Sequence, residues 1–269
     1  MERSICKVIP LLLFVLMSHS KGLAQFSPPG LGEVHTAAWL ALGAKQDLDQ
    51  KGTTVSSTYL GFGSVSDPNN YNPVEKPSIY VINQEVTHRF KPHWKYALAL
   101  SYRWQNRYTP RPPYDYDTPK ARQELRAYGS ISYLNSFKKI NYAFTYRPEV
   151  RRFYDPDFTL ATESLQFRSR FKAKLSFYLN GSKTQQISTA AESLFAMGKT
   201  ENWSKFTYKE SRFSLYYSLT LPRQDITLNM GYMNNLLGRD FSKDAHYLAF
   251  DVAINNPFHH KSGQGSHSQ

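Results

Sequence analysis

Cysteine appears once in the 269 residues, at Cys6. It lies inside a stretch that reads as a secretory leader over residues 1–24: Arg3 and Lys7 at the start, the apolar run VIPLLLFVLM, and small residues ahead of a cut between Ala24 and Gln25. That run is too short to cross a bilayer as a helix; a buried core helix is the competing reading. A chain cut there keeps no cysteine, which excludes disulfides, thiolate nucleophiles and cysteine-ligated metals. Past the leader no segment repeats its apolar residues with a helical period, so nothing argues for a helical bundle. There is no interdomain linker, no exact repeat, no glycine-rich phosphate loop and no zinc-ligand spacing.

What is in excess is aromatic residues and positive charge. Tyr and Phe number 19 and 17, yet the mean hydropathy is polar. One-for-one alternation of apolar and polar residues produces such dilution, and alternation marks a strand with two unlike faces. In SLQFRSRFKAKLSFYLNG, residues 164–181, Leu165, Phe167, Phe171, Leu175 and Phe177 share one face, while Arg168, Arg170, Lys172 and Lys174 share the other. Similar patterns recur at 122–134, 140–151, 212–221 and 247–255.

Eleven strand candidates follow, near 34–44, 53–65, 79–90, 94–107, 121–134, 140–152, 164–180, 185–197, 205–221, 226–236 and 246–256. Short turns such as KPH, NSFKK, GSKT and PRQD alternate with long connections at 66–78, 108–120, 152–163 and 237–245. Long strands with turns at one end and loops at the other predict an all-β fold. The form expected is an antiparallel transmembrane β-barrel of about 10–12 strands over residues 25–258, followed by a disordered tail at 259–269. A soluble sandwich or barrel with an oily core predicts the same alternation turned inside out, but soluble strands are usually shorter. Phe and Tyr are then expected on the lipid face and in its girdles. Bacterial single-chain barrels have even strand counts. Eleven candidates therefore imply ten wall strands with 34–44 left out, or twelve with a poor strand near QFSPPGLGE at 25–33.

The alternation directs a set of charges inward: Glu85, Arg89, Arg103, Arg122, Glu124, Arg126, Arg147, Glu149, Arg151, Arg168, Arg170, Lys172, Lys174, Glu192, Glu210, Arg212 and Asp251, eleven basic and six acidic. The signs interleave, Glu124 between Arg122 and Arg126 and Glu149 between Arg147 and Arg151. That favours a salt-bridged lumen and a non-enzymatic scaffold. The net positive remainder supports an alternative, a narrow anion-selective channel for acidic oligosaccharides or similar solutes. Without the leader, 30 basic residues face 20 acidic ones. The partners expected are outer-membrane lipid and lipopolysaccharide, with a small anionic solute as a further candidate. Nucleic acid is not expected, because the basic ladders point into the barrel. No cofactor or metal is expected either. Asp67, Asn69 and Asn70 are a weak set for Ca²⁺, Asp115 and Asp117 read as solvated loop carboxylates, and His88 faces the membrane interface. An outer-membrane hydrolase is the weakest alternative, because no candidate strand carries the His-x-Ser pair on which outer-membrane lipases rely.

The segments TAAWLALGAKQDL, LALSYRWQNRY, RQELRAYGSISY, NYAFTYRPEVRRF, ESLQFRSRFKAKLSF, STAAESLFAMG and KESRFSLYYSL occur in this order. Together they resemble domain-of-unknown-function family 2490, uncharacterised outer-membrane proteins of Gram-negative bacteria. The likeness runs over about 33–256, and its most distinctive points are the Arg of successive YR pairs and Glu192 ahead of an aromatic. The insert at 66–78 and the tail past Phe258 depart from the pattern. The resemblance implies a barrel in the bacterial outer membrane and carries no assigned activity.

Overall fold

The computed structural model describes residues 28, 30, 34–137, 139–241 and 243–258. The leader and tail expected at 1–24 and 259–269 lie outside the described residues. Eleven strands follow one another: β1 (Thr36–Asp47), β2 (Thr54–Val65), β3 (Lys76–Lys91), β4 (Trp94–Tyr108), β5 (Tyr116–Phe137), β6 (Ile140–Tyr154), β7 (Leu160–Tyr178), β8 (Gln185–Lys199), β9 (Thr207–Leu221), β10 (Ile226–Leu237) and β11 (Lys243–Asn255). Each overlaps one of the candidates read from the alternation. They close into a single barrel in which consecutive strands pair antiparallel.

The last seam differs. β1 pairs parallel with β11, in register from Thr36 opposite His246 to Lys45 opposite Asn255. This corrects the parity argument: the wall has neither ten nor twelve strands, and 34–44 is a wall strand held on both sides. An even count is required only if every seam is antiparallel. In an antiparallel meander with an odd count the first and last strands run the same way, and a parallel seam joins them.

Connections after β1, β3, β5, β7 and β9 lie at one rim, and those after β2, β4, β6, β8 and β10 at the other. The second, the loop rim, is less extended than the sequence suggested. β5 already begins at Tyr116 and β7 at Leu160, so strand consumes part of the expected loops. At the first, the short-turn rim, Asp49 accepts hydrogen bonds from the Thr54 and Thr53 amides at 2.6 and 2.9 Å and from the Thr53 hydroxyl at 2.8 Å. These donors, Thr54 foremost, hold its carboxyl well below the usual carboxylate range.

The apolar face of the wall is the outer one. Leu98, Leu100, Phe171, Leu215 and Leu248 are 64, 68, 51, 54 and 60% exposed, whereas Arg126, Glu149, Arg170 and Arg212 are buried. Aromatic residues do not all follow the expectation of an outward girdle. Trp39, Tyr59, Tyr128, Phe153, Tyr216 and Tyr247 are buried on the lumen side. Glycines make room for three of them. A Cβ at Gly61 would come 2.3 Å from the Trp39 ring, one at Gly43 2.3 Å from Tyr59, and one at Gly231 2.2 Å from Tyr216. These side chains therefore press against bare backbone of a neighbouring strand, the close approach that glycine in a strand permits. Gly43→Ala is expected to destabilise the barrel by about 1–3 kcal/mol through this overlap, read as a lower unfolding midpoint. Gly181→Ala, whose new Cβ would meet nothing within 4 Å, should leave the midpoint unchanged.

The lumen thus has two unlike walls. Trp39, Tyr59, Ile79, Val81, Tyr216, Met233 and Tyr247 form an apolar cluster on β1–β3 and β9–β11. The charged residues concentrate on β4–β9, across the lumen from it.

The charged lumen as candidate functional site

Strand alternation places the charges, and strand pairing brings them together. Arg103 of β4 and Glu124 of β5 occupy paired positions, as do Lys172 of β7 and Glu192 of β8. Longer reaches then join neighbouring strands diagonally. Glu124 lies 2.6 Å from Arg126 and 4.0 Å from Arg103, and also pairs with Arg151 of β6. Glu149, with a fully buried side chain, lies 2.6 Å from Arg147, 2.9 Å from Arg170 and 3.4 Å from Arg126. Glu192 lies 2.9 Å from Arg170 and 3.9 Å from Arg212. Glu210 lies 2.5 Å from Arg212 and accepts a hydrogen bond from the Asn235 amide of β10 at 3.1 Å.

Arg126, Arg170 and Arg212 each touch two carboxylates. The result is one continuous chain, Arg103–Glu124–Arg126–Glu149–Arg170–Glu192–Arg212–Glu210, passing from β4 to β9. Arginine suits it because a planar fork with several donors can serve two acceptors at once. Rings support the flanks: the Arg122 guanidinium lies 3.6 Å from the Phe153 ring centre, Arg151 lies 4.7 Å from the same ring, and Arg147 lies 3.8 Å from that of Tyr128.

The remaining inward-read charges are not links of this chain. Arg168 donates to Gln166 on its own strand. Glu85 accepts from the Tyr128 hydroxyl at 3.0 Å. Arg89, Lys172 and Lys174 face the lumen nearer the short-turn rim. Asp251 is fully buried, with Asn229 of β10 and Ala41 of β1 at the paired positions on either side. Two inward cations were missed in the sequence, Lys45 and Lys95. Lys95 shares parity with Arg103 along β4 and could have been found by counting. Lys45 falls one residue beyond the stretch read as the first strand.

Elsewhere, His88 lies on the outer face, with Nδ1 2.9 Å from the Thr54 hydroxyl and its ring 5.4 Å from that of Tyr96. Asp67 holds the Lys76 ammonium at 2.6 Å, so the loop position weighed for Ca²⁺ is taken by a side-chain cation. Asp117 pairs with Arg107 at 2.7 Å. Among the described residues no group of three or more His, Cys, Asp or Glu is placed to hold a metal ion.

The family described as "Protein of unknown function (DUF2490)" matches residues 38–244. The chain belongs to that family. In this DUF2490 protein the matched span runs from β1 into the start of β11 and contains every member of the arginine–glutamate chain. No curated protein matches the chain.

Chemically, the DUF2490 lumen sets guanidiniums directly against carboxylates. Glu124, Glu149, Glu192 and Glu210 are each held by at least one arginine, with side chains 6, 0, 13 and 9% exposed. Such an arrangement braces adjacent strands against one another.

Proposed function

We propose that this protein is a non-enzymatic β-barrel of the bacterial outer membrane whose lumen is braced by ion pairs rather than open to flow. The observation that carries the reading is the inversion of its faces. Leucines and phenylalanines cover the outside while arginines and glutamates are buried within. In water this would leave a broad apolar belt exposed on a monomer, far beyond ordinary surface patches. In a bilayer the same belt meets acyl chains, and the closed ring leaves no open strand edge in hydrocarbon.

The arginine–glutamate chain supports a closed lumen, since its groups are engaged with one another rather than lining a wet passage. The start of the chain supports it too: the Pro28 carbonyl accepts a hydrogen bond from Arg212 Nη1 at 3.4 Å, on the lumen side of β9. Purified protein is expected to insert into lipid vesicles and, in planar bilayers, to show no steady current. Stable open-channel currents with anion preference would instead favour the channel reading.

A further inference from the structure

The outer face is not uniform near the loop rim. Arg152 of β6 and Lys199 of β8 stand at the paired positions on either side of Leu165 of β7. Arg152 lies between the buried Arg151 and Phe153, so alternation turns it outward. Lys199 is turned outward in the same way, following the buried Leu194 and Ala196. Two strand spacings separate the pair, roughly 10 Å. Lys205, exposed in the connection after β8, adds a third cation.

Other cations of this rim are engaged, Lys76 by Asp67 and Arg107 by Asp117. Among the described residues no carboxylate pairs with Arg152, Lys199 or Lys205. Nor do cations ring the barrel. The outer positions of β10 and β11 at this rim carry Asn234, Asp244 and His246 instead.

Toward the middle of the wall the same sector turns apolar and aromatic. The row after the cations is Val150, Phe167 and Met197, and the next is Pro148, Ser169 and Phe195. Between ring centres, Phe171 lies 5.1 Å from Tyr146 and 6.2 Å from Phe195. Phe206, beside Lys205, lies 6.2 Å from Phe167 and 5.9 Å from Phe195.

Next to these rings the wall is hollow. A depression of about 650 Å³ is lined by Val86, Leu98, Leu100, Ala127, Gly129 and Val150. Its size falls among small-molecule sites, about 300–1,000 Å³. It reaches Val150, the outward residue next to Arg152 on β6. Gly129 leaves it open where the outward neighbours Leu125 and Ile131 are large and exposed. Gly129 and Pro148 also fall in the gap of the β5–β6 ladder, between Tyr128 opposite Glu149 and Ile131 opposite Tyr146. Proline has no amide hydrogen to give there.

We propose that the outer face of β4–β8 near the loop rim docks a phosphorylated, multiply acylated glycolipid of the lipid A type. This rests on the membrane reading above and adds a partner to it. Charge selects the headgroup, because basic residues at the edge of a membrane span attract anionic lipid headgroups. Two cations set two strands apart fit a headgroup with two separated phosphates better than one with a single phosphate. Rings suit the level at which headgroup gives way to acyl chain. A hollow beside a row of rings seats more than one chain. The longer connections of such barrels face the cell exterior, and lipopolysaccharide lies in that leaflet.

The test is native mass spectrometry of the full-length protein released from detergent micelles holding equal amounts of diphosphoryl lipid A and phosphatidylglycerol. Lipid A adducts should outnumber phosphatidylglycerol adducts at least tenfold. The ratio should fall to about one in the double variant Arg152→Gln, Lys199→Gln, and should be unchanged in Lys91→Gln, an exposed cation at the short-turn rim. Gly129→Leu fills the hollow without altering charge, and should also abolish the preference. A Cβ at Gly129 meets only Leu98 Cδ2 at 3.6 Å and the Ala97 carbonyl oxygen at 3.8 Å, ordinary contacts, so that variant should fold. Equal retention of the two lipids by the wild type, or a preference that survives either variant, would overturn the site. Folding into phosphatidylcholine vesicles is measured alongside. Failure to insert sinks the membrane reading and this proposal with it, whereas insertion without a lipid A preference sinks the docking site alone.

Discussion

Glu149→Gln is expected to lower the unfolding free energy of the barrel by about 3–5 kcal/mol, the usual cost of removing one member of a buried ionic cluster. Glutamine keeps the shape of the side chain but not its charge. Arg126, Arg147 and Arg170 would all lose a partner, and the Arg126 and Arg170 side chains, 1 and 6% exposed, cannot recover water in exchange. Urea unfolding in micelles, followed by tryptophan fluorescence, measures the change. The matching control is Asp117→Asn. Its pair with Arg107 is comparably short, 2.7 Å, but has side chains 43 and 36% exposed, so less than about 1 kcal/mol is expected. Equal effects from the two substitutions would mean that the ionic chain does not brace the wall.

Phe171→Arg separates a barrel in lipid from one in water. Phe171 points outward midway along β7, half exposed, with its ring 5.1 Å from that of Tyr146. In a bilayer a charge there should cost about 2–4 kcal/mol and reduce the fraction that folds into vesicles, read by the mobility of unheated protein on gels. On a water-facing surface the same change falls within about 0.5 kcal/mol, and solubility would improve. A vesicle-folding yield equal to that of the wild type would count against the membrane assignment.

The strands were legible because a wall with two committed faces repeats its chemistry every second residue. The four cations from Arg168 to Lys174 and the alternating Phe167, Phe171 and Phe177 leave no other register. The seam was not legible, since nothing local encodes its direction. Leu40 and Leu42 of β1 and Leu248 and Phe250 of β11 suit a parallel or an antiparallel neighbour equally. Aromatic identity misled where parity would have served: Tyr59 lies two residues from Ser57 and on its side, and Gly43 opposite it gives the space. Which charges would meet was only partly readable. Of the three arginines around Glu149, Arg147 is its neighbour in sequence, but Arg126 and Arg170 arrive from β5 and β7 by pairing and reach.

The parallel seam also fixes how this chain could be rewired. In an even-numbered barrel the two ends emerge at one rim, and a short linker lets the chain be circularly permuted with little cost. Here Thr36 and Asn255 lie on adjacent strands but at opposite rims, because Asn255 is level with Lys45. At roughly 3.3 Å per residue the gap is about 30 Å. In the bilayer proposed for it, unpaired backbone cannot cross that distance through hydrocarbon, so a linker would have to run inside the barrel. Permutants with a short linker should therefore fail to close, and those with a long one should compete for the same interior in which Pro28 meets Arg212.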